Sequence, residues 1–292
     1  MTLSAIVNGT EYSLDDGTYC YWIGDDGLGM SPLHRLSERG PLQHGATDRG
    51  YRLDPRQVRL ILDIIQTTRA GMFTSRAALL NIFKPGASPI ILKLELDAAT
   101  YYLDCHYIGQ AAMPSSERMG WNQTVVVDLV ANDPTFYDAD GSSYVFAIAA
   151  GGDTMLVPTA IPMTVGASVV NASEAITYAG TFLSYPLVRI TGPITNCVIT
   201  NNSTGEKLDF TGVTIAAGDY YVIDCRYGYK TVKNAAGTNK IADLTDDSDL
   251  VSFHLAPDPE VGGGLNSITV TGTSATEATG VALTYFTRYI GV

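Results

Sequence analysis

The sequence predicts a mainly β chain in two parts, with one short helix. Three observations carry this. Val125, Val127 and Leu129 share one face of a strand-like run that ends at Asn132-Asp133-Pro134, where Pro134 has no N–H to give a ladder and biases Asp133 away from helix. Residues 141–292 hold many short alternating runs separated by Gly-, Asn- and Asp-rich clusters, the spacing of a β-sandwich. Finally, one stretch alone joins a helix cap to a helix stop. The Pro134 break, the apolar pair Phe136-Tyr137 and the polar run after it mark a seam. They divide the chain into parts 1–137 and 138–292.

Taken in order, Leu3–Val7 and Glu11–Leu14 flank Asn8-Gly9, a strong two-residue hairpin signal. Residues 24–50 are Gly-rich and aperiodic. Gly24, Gly27 and Gly29 fit neither G-x-G-x-x-G nor a P-loop, so turns are expected. Val58, Leu60, Leu62 and Ile64 alternate with Arg59, Ile61, Asp63 and Ile65, and their β-branched content selects strand over helix. Thr74-Ser75 is expected to cap a helix over Arg76–Phe83, stopped by Lys84-Pro85-Gly86. A strand over Ile90–Leu96 follows. Residues 101–131 read as a long hairpin whose connection carries Met113, Pro114, Met119 and Trp121, a tip too apolar to be left in water.

In the second part the expected strands are Tyr144–Ile148, Leu187–Thr191, Cys197–Thr200, Lys207–Phe210, Tyr220–Cys225, Val251–Leu255, Ser267–Thr271 and Val281–Ile290.

Composition narrows the function. A net charge of −12 argues against free nucleic acid as the main partner. No apolar run approaches the roughly 18 residues of a membrane span, and the N-terminal residues lack the basic start of a signal peptide. Cys20, Cys105, Cys197 and Cys225 form no CxxC pair and read as buried reduced thiols, with Cys197 and Cys225 the one pair to check for a bond. His34, His44, His106 and His254 have no metal-ligand spacing, and Asp243, Asp246, Asp247 and Asp249 lack the EF-hand pattern. No G-x-S-x-G elbow is present. Residues 34–76 hold eight arginines against four acids, a cationic stretch that reads either as a solvated face salt-bridged to its neighbours or as an inter-subunit surface.

Several motifs follow one another in a fixed order. In the first part they are Arg39-Gly40-Pro41, Arg52-Leu53-Asp54-Pro55-Arg56, Leu79, Leu80 and Phe83 before Pro85, the long hairpin, and its closing Asn132-Asp133-Pro134-Thr135-Phe136-Tyr137. In the second they are Tyr185-Pro186, Ile190-Thr191-Gly192-Pro193, Asn202-Ser203-Thr204-Gly205, Ala217-Gly218-Asp219 before Val222-Ile223-Asp224, Gly264-Leu265-Asn266-Ser267-Ile268, and the run Val281–Ile290. In this order they resemble the distal tail proteins (Dit) of long-tailed, siphovirus-type bacteriophages, over nearly the whole chain.

The resemblance implies an N-terminal ring or hub domain over 1–137 with the locking hairpin 101–131. It implies a galectin-like β-sandwich over 138–292, ending in a final strand 281–290. It also implies a non-enzymatic protein without cofactor or metal, assembled as a hexameric ring at the distal end of the virion tail and made in the host bacterial cytoplasm. Its partners would be sister copies, the tail tube protein, the tape-measure protein and a tail-tip hub or tail-associated lysin, with DNA met only in passage through the lumen. Arg52, Arg56, Tyr107, Met113, Met119 and Trp121 are the residues expected at the subunit interface. The rival reading is a carbohydrate- or receptor-binding module that uses the sandwich.

Overall fold

The computed structural model describes residues 1–86, 89–97, 99–114, 116, 118–138, 141–146 and 169–292. The chain forms two compact units, one of residues 1–139 with 289–292 and one of residues 140–288. The sequence reading gave 289–292 to the sandwich. The structure returns these residues to the first unit.

The first unit is built from β1 (Thr2–Val7), β2 (Thr10–Ser13), β3 (Tyr21–Asp26), β4 (Leu33–Glu38), β5 (Thr47–Leu53), β6 (Arg56–Ile65), helix α1 (Arg69–Ile82), β7 (Ile90–Leu96), β8 (Ala99–Ala112), β9 (Arg118–Met119), β10 (Asn122–Ala131) and β11 (Phe136–Tyr137). Its main sheet runs β2-β1-β7-β8-β10-β6-β3. At the β1–β2 turn Asn8 and Gly9 both take positive φ, as the two-residue hairpin demands. Strand β8 serves two neighbours in turn. Residues 99–105 pair with β7, and the stretch beyond them pairs with β10 from His106. The β8–β10 register slips around Gly109, where the pleat is interrupted by a bulge.

Strand β6 buries Val58, Leu60, Leu62 and Ile64 in strict alternation, and β10 answers with Val125, Val127 and Leu129. These side chains form one core with Leu3, Leu92, Leu94, Leu103 and the inner face of α1, each large aliphatic contributing about 1.5–3 kcal/mol.

Helix α1 starts seven residues earlier than the sequence suggests. Thr68, not Thr74, is the N-cap, and its hydroxyl accepts the Gly71 N–H at 3.1 Å. Thr74 sits inside the helix, its hydroxyl donating to the Ala70 carbonyl at 3.0 Å. Met72, Ser75, Leu79 and Ile82 turn inward. Thr68→Ala is therefore expected to cost about 1 kcal/mol in urea denaturation, and Thr74→Ala a few tenths at most. The reverse ranking would restore the later start.

Residues 24–50 depart further from the expectation of turns. They include the second half of β3, all of β4 and part of β5, and β4 pairs with β5 as a separate two-stranded ribbon exposed on both faces. Exposure on both faces removes the alternation by which a strand is recognised in sequence.

The second unit contains β12 (Ser142–Phe146), β13 (Val169–Thr177), β14 (Leu187–Thr191), β15 (Ile194–Asn201), β16 (Glu206–Ile215), β17 (Tyr220–Asp224), β18 (Thr231–Asn234), β19 (Leu265–Thr273) and β20 (Gly280–Tyr285). They make two antiparallel sheets, β12-β20-β14-β17-β18 and β13-β19-β15-β16. Val188, Ile190, Ile223 and Leu283 of the first meet Ile199, Leu208, Phe210 and Val270 of the second in one core, the arrangement of a β-sandwich. The last two residues of the expected strand Tyr144–Ile148 lie outside the described residues. Val251–Leu255 is not a strand. Phe253 donates its N–H to the Asp249 carbonyl in a turn, and Leu255 makes only an isolated bridge to Ser184. The expected strand Val281–Ile290 ends at Tyr285, and a separate short strand, β21 (Arg288–Tyr289), follows it.

Candidate functional site

Exposed large apolar side chains gather in the first unit, and the hairpin tip is one focus. Met119 is 81% exposed and Trp121 43% exposed. Asn122 faces Met119 on one side and the exposed Ile65 on the other, so the three apolar residues crown one end of the β9-β10-β6 ribbon. The tip is held from beneath by Gln123, a buried side chain whose amide donates to the Met113 carbonyl at 3.0 Å. Met113 is half-buried against the core. Tyr107 is half-buried too, and its hydroxyl accepts the Ala111 N–H at 2.6 Å. The structure thus brings Met119 and Trp121 to an open edge and turns Met113 and Tyr107 partly inward.

The arginines divide in two. Arg35, Arg49, Arg52 and Arg59 are exposed and paired with Asp48, Glu38, Asp54 and Asp128. Arg56 is wholly buried, which corrects its assignment to a subunit surface. Its Nε donates to the Pro134 carbonyl at 2.8 Å. Nη1 donates to Gly27 and Gly29, each at 2.6 Å, and Nη2 to the Ser31 hydroxyl and the Ile290 carbonyl, each at 2.7 Å. All five N–H donors are used, none on a carboxylate, and the ring of Phe136 lies 4.8 Å from the guanidinium carbon. Burial lowers the Arg56 pKa from its ordinary value. Gly27 has φ +94°, and a Cβ there would overlap the Gln57 carbonyl, so only glycine brings its own carbonyl to this arginine. The Asn132–Tyr137 motif that closes the hairpin is therefore one wall of an arginine socket. The eight-arginine stretch gave no sign that one of its members was internal.

The chemistry-bearing groups have structural partners. Asp243 accepts the Tyr221 hydroxyl at 2.5 Å, Asp249 the Lys207 N–H at 2.9 Å, and Asp247 an ion pair from the Lys207 ammonium. All four cysteines are buried and free, and burial pushes each thiol up to about 12. His34 and His44 are exposed on the β4–β5 ribbon, and His254 is buried with Nδ1 2.7 Å from the Ser252 carbonyl.

On the sandwich, Tyr227 and Tyr229 stand exposed. The Lys230 ammonium lies 4.9 Å from the Tyr227 ring and 4.3 Å from that of Tyr185. The Arg226 guanidinium, clamped by Asp224 at 2.9 and 2.7 Å, lies 4.6 Å from Tyr229.

No family model and no curated protein matches the sequence. Solved structures do match in fold. The Dit protein (gp 19.1) of phage SPP1, described as a paradigm of the hub adsorption apparatus in phages infecting Gram-positive bacteria, aligns with a TM-score of 0.65 at 11% identity, over 99% of both chains. A chain of the phage p2 baseplate, in its activated conformation with strontium, aligns at 0.52 and 9% identity over 100% of this chain and 99% of that one. From end to end, this chain carries the fold of the SPP1 Dit protein.

Proposed function

We propose that this protein is a structural subunit of a phage tail tip, a distal tail protein whose first unit closes into a ring of six. The ring joins the tail tube to the tip or baseplate, with the tape-measure protein and then DNA passing through its lumen. The role is non-enzymatic and its place is the virion. The observation that carries the reading is the fold likeness over the whole chain. The crowding of exposed apolar side chains in the first unit supports it. Such side chains are a liability on a monomer and the expected content of an obligate interface, on the order of 2,000 Å² per contact. Met119 and Trp121 are assigned to it by the same reasoning, and Arg52 as an exposed arginine suited to an interface.

Size-exclusion chromatography with light scattering, followed by negative-stain imaging, is expected to show a closed ring of six. Replacing Met119 and Trp121 together by serine is expected to shift the mass to that of one or a few copies, with the fold intact. A monodisperse monomer at high concentration for the unaltered protein would refute the reading.

A further inference from the structure

The outer face of α1 carries a second exposed apolar stripe with a different character. Ala70, Phe73, Ala77 and Leu80 follow one another at spacings of three and four, the period of a helix-pairing seam. All four are exposed, Phe73 by 43% and Leu80 by 50%, while the opposite face is buried in the core. Arg69 and Arg76 flank the seam, each guanidinium 5.6 Å from the Phe73 ring.

The charge here is one-sided. No Asp or Glu occurs between Asp63 and Glu95, in a chain whose net charge is −12. Among the described residues neither Arg69 nor Arg76 has a carboxylate partner, whereas Arg35, Arg49, Arg52 and Arg59 all do. Phe73 is instead flanked by two cations, Arg69 exposed and Arg76 half-buried, that could receive an anion.

We propose that α1 docks an acidic amphipathic helix of another protein, its apolar seam on Phe73 and Leu80 and its Asp or Glu side chains on Arg69 and Arg76. Heptad spacing selects a helical occupant over an extended one. The α1 helix of a second copy does not supply such an occupant. Among the described residues α1 is the only α-helix, it contains no acid, and two such faces set together would oppose their arginines. The inference is independent of the tail-tip reading, because it needs no ring.

The test uses the full-length protein and two labelled synthetic peptides of heptad design. Both have leucine in the seam, and their flanking positions are all glutamate in one and all lysine in the other. Binding is read by fluorescence anisotropy. The glutamate peptide is expected to bind about tenfold tighter than the lysine peptide. Phe73→Ser with Leu80→Ser is expected to abolish binding, and Arg69→Glu with Arg76→Glu to reverse the preference. Arg69, Phe73 and Leu80 are exposed and Arg76 is half-buried, so unchanged circular dichroism and melting temperature are required of each variant to establish that it is folded. Equal binding of both peptides, or binding that survives the seam variant, overturns the proposal. So does a seam variant that only lowers the oligomer mass in light scattering, which assigns the face to a second copy. Binding to phosphatidylserine vesicles that the seam variant loses, with no peptide binding, assigns the face to a membrane surface and equally overturns the proposal.

Discussion

Arg56→Met is expected to destabilise the first unit by about 3–5 kcal/mol in urea-induced unfolding. Methionine matches much of the arginine's length and would fill the socket without a large cavity. The loss therefore reads out polar satisfaction rather than packing. Four carbonyl oxygens, of Gly27, Gly29, Pro134 and Ile290, and the Ser31 hydroxyl would lose the guanidinium that donates to them. Ser31 donates to Pro134 and its N–H already reaches Ile290, so two of the acceptors keep one partner. This is why the expected cost stays below the sum of five lost bonds. Arg56→Lys is expected to recover little, because one ammonium on a flexible stem cannot reach acceptors arranged around a planar fork. A cost under about 1 kcal/mol for the methionine variant would show that water enters the socket and replaces the guanidinium.

Asn266→Ala is expected to cost the sandwich about 2–4 kcal/mol by the same measurement. Asn266 is fully buried at the start of β19. Its amide donates to the carbonyls of Ala256 at 2.9 Å and Gly264 at 3.0 Å. Its oxygen accepts the Ala256 N–H at 2.9 Å and the Asn201 amide at 3.2 Å. Asn201 in turn donates to the His254 carbonyl at 2.9 Å. Two asparagine side chains thus replace backbone pairing for the irregular segment 254–264. Asn266→Asp is the sharper variant. It is nearly the same size, but an ionised carboxylate cannot donate to Ala256 or Gly264, so it is expected to be at least as damaging as alanine at neutral pH. A destabilisation of less than about 0.5 kcal/mol in either variant would mean that the segment is held by its apolar residues alone.

The sequence was most legible where one face of an element is wet and the other dry. The alternation in β6 and β10, the Asn8-Gly9 turn and the run Leu187–Thr191 could be recognised because burial imposes a period on residue choice. It was least legible where that contrast is missing. The β4–β5 ribbon is exposed on both faces, so Leu33 and Leu36 fall in a stretch that reads as turns. Thr68 and Thr74 are equally good caps by type, and only the packing of Met72 and Ser75 shows which turn of helix is present. Val251–Leu255 alternates like a strand because Phe253 and Leu255 are buried, yet the backbone is a turn.

Of the residues assigned to an interaction surface, Arg52, Met119 and Trp121 lie exposed in the structure. Tyr107 and Met113 are half-buried. Arg56 was misplaced because an internal guanidinium with neutral acceptors looks, in sequence, the same as a solvated one. The closing Asn132–Tyr137 motif could be found by its order in the chain, but its purpose as one wall of the arginine socket needed the Ile290 carbonyl, some 150 residues away.

That distance has a consequence for synthesis. A ribosome that has released residues 1–139 has made most of the first unit but not its last piece, since Tyr289–Val292 come only after the entire sandwich. Until then Arg56 lacks one of its acceptors, and β11 lacks the neighbour it gains from β21. A nascent chain is therefore kept short of its finished first unit while the second is still being translated.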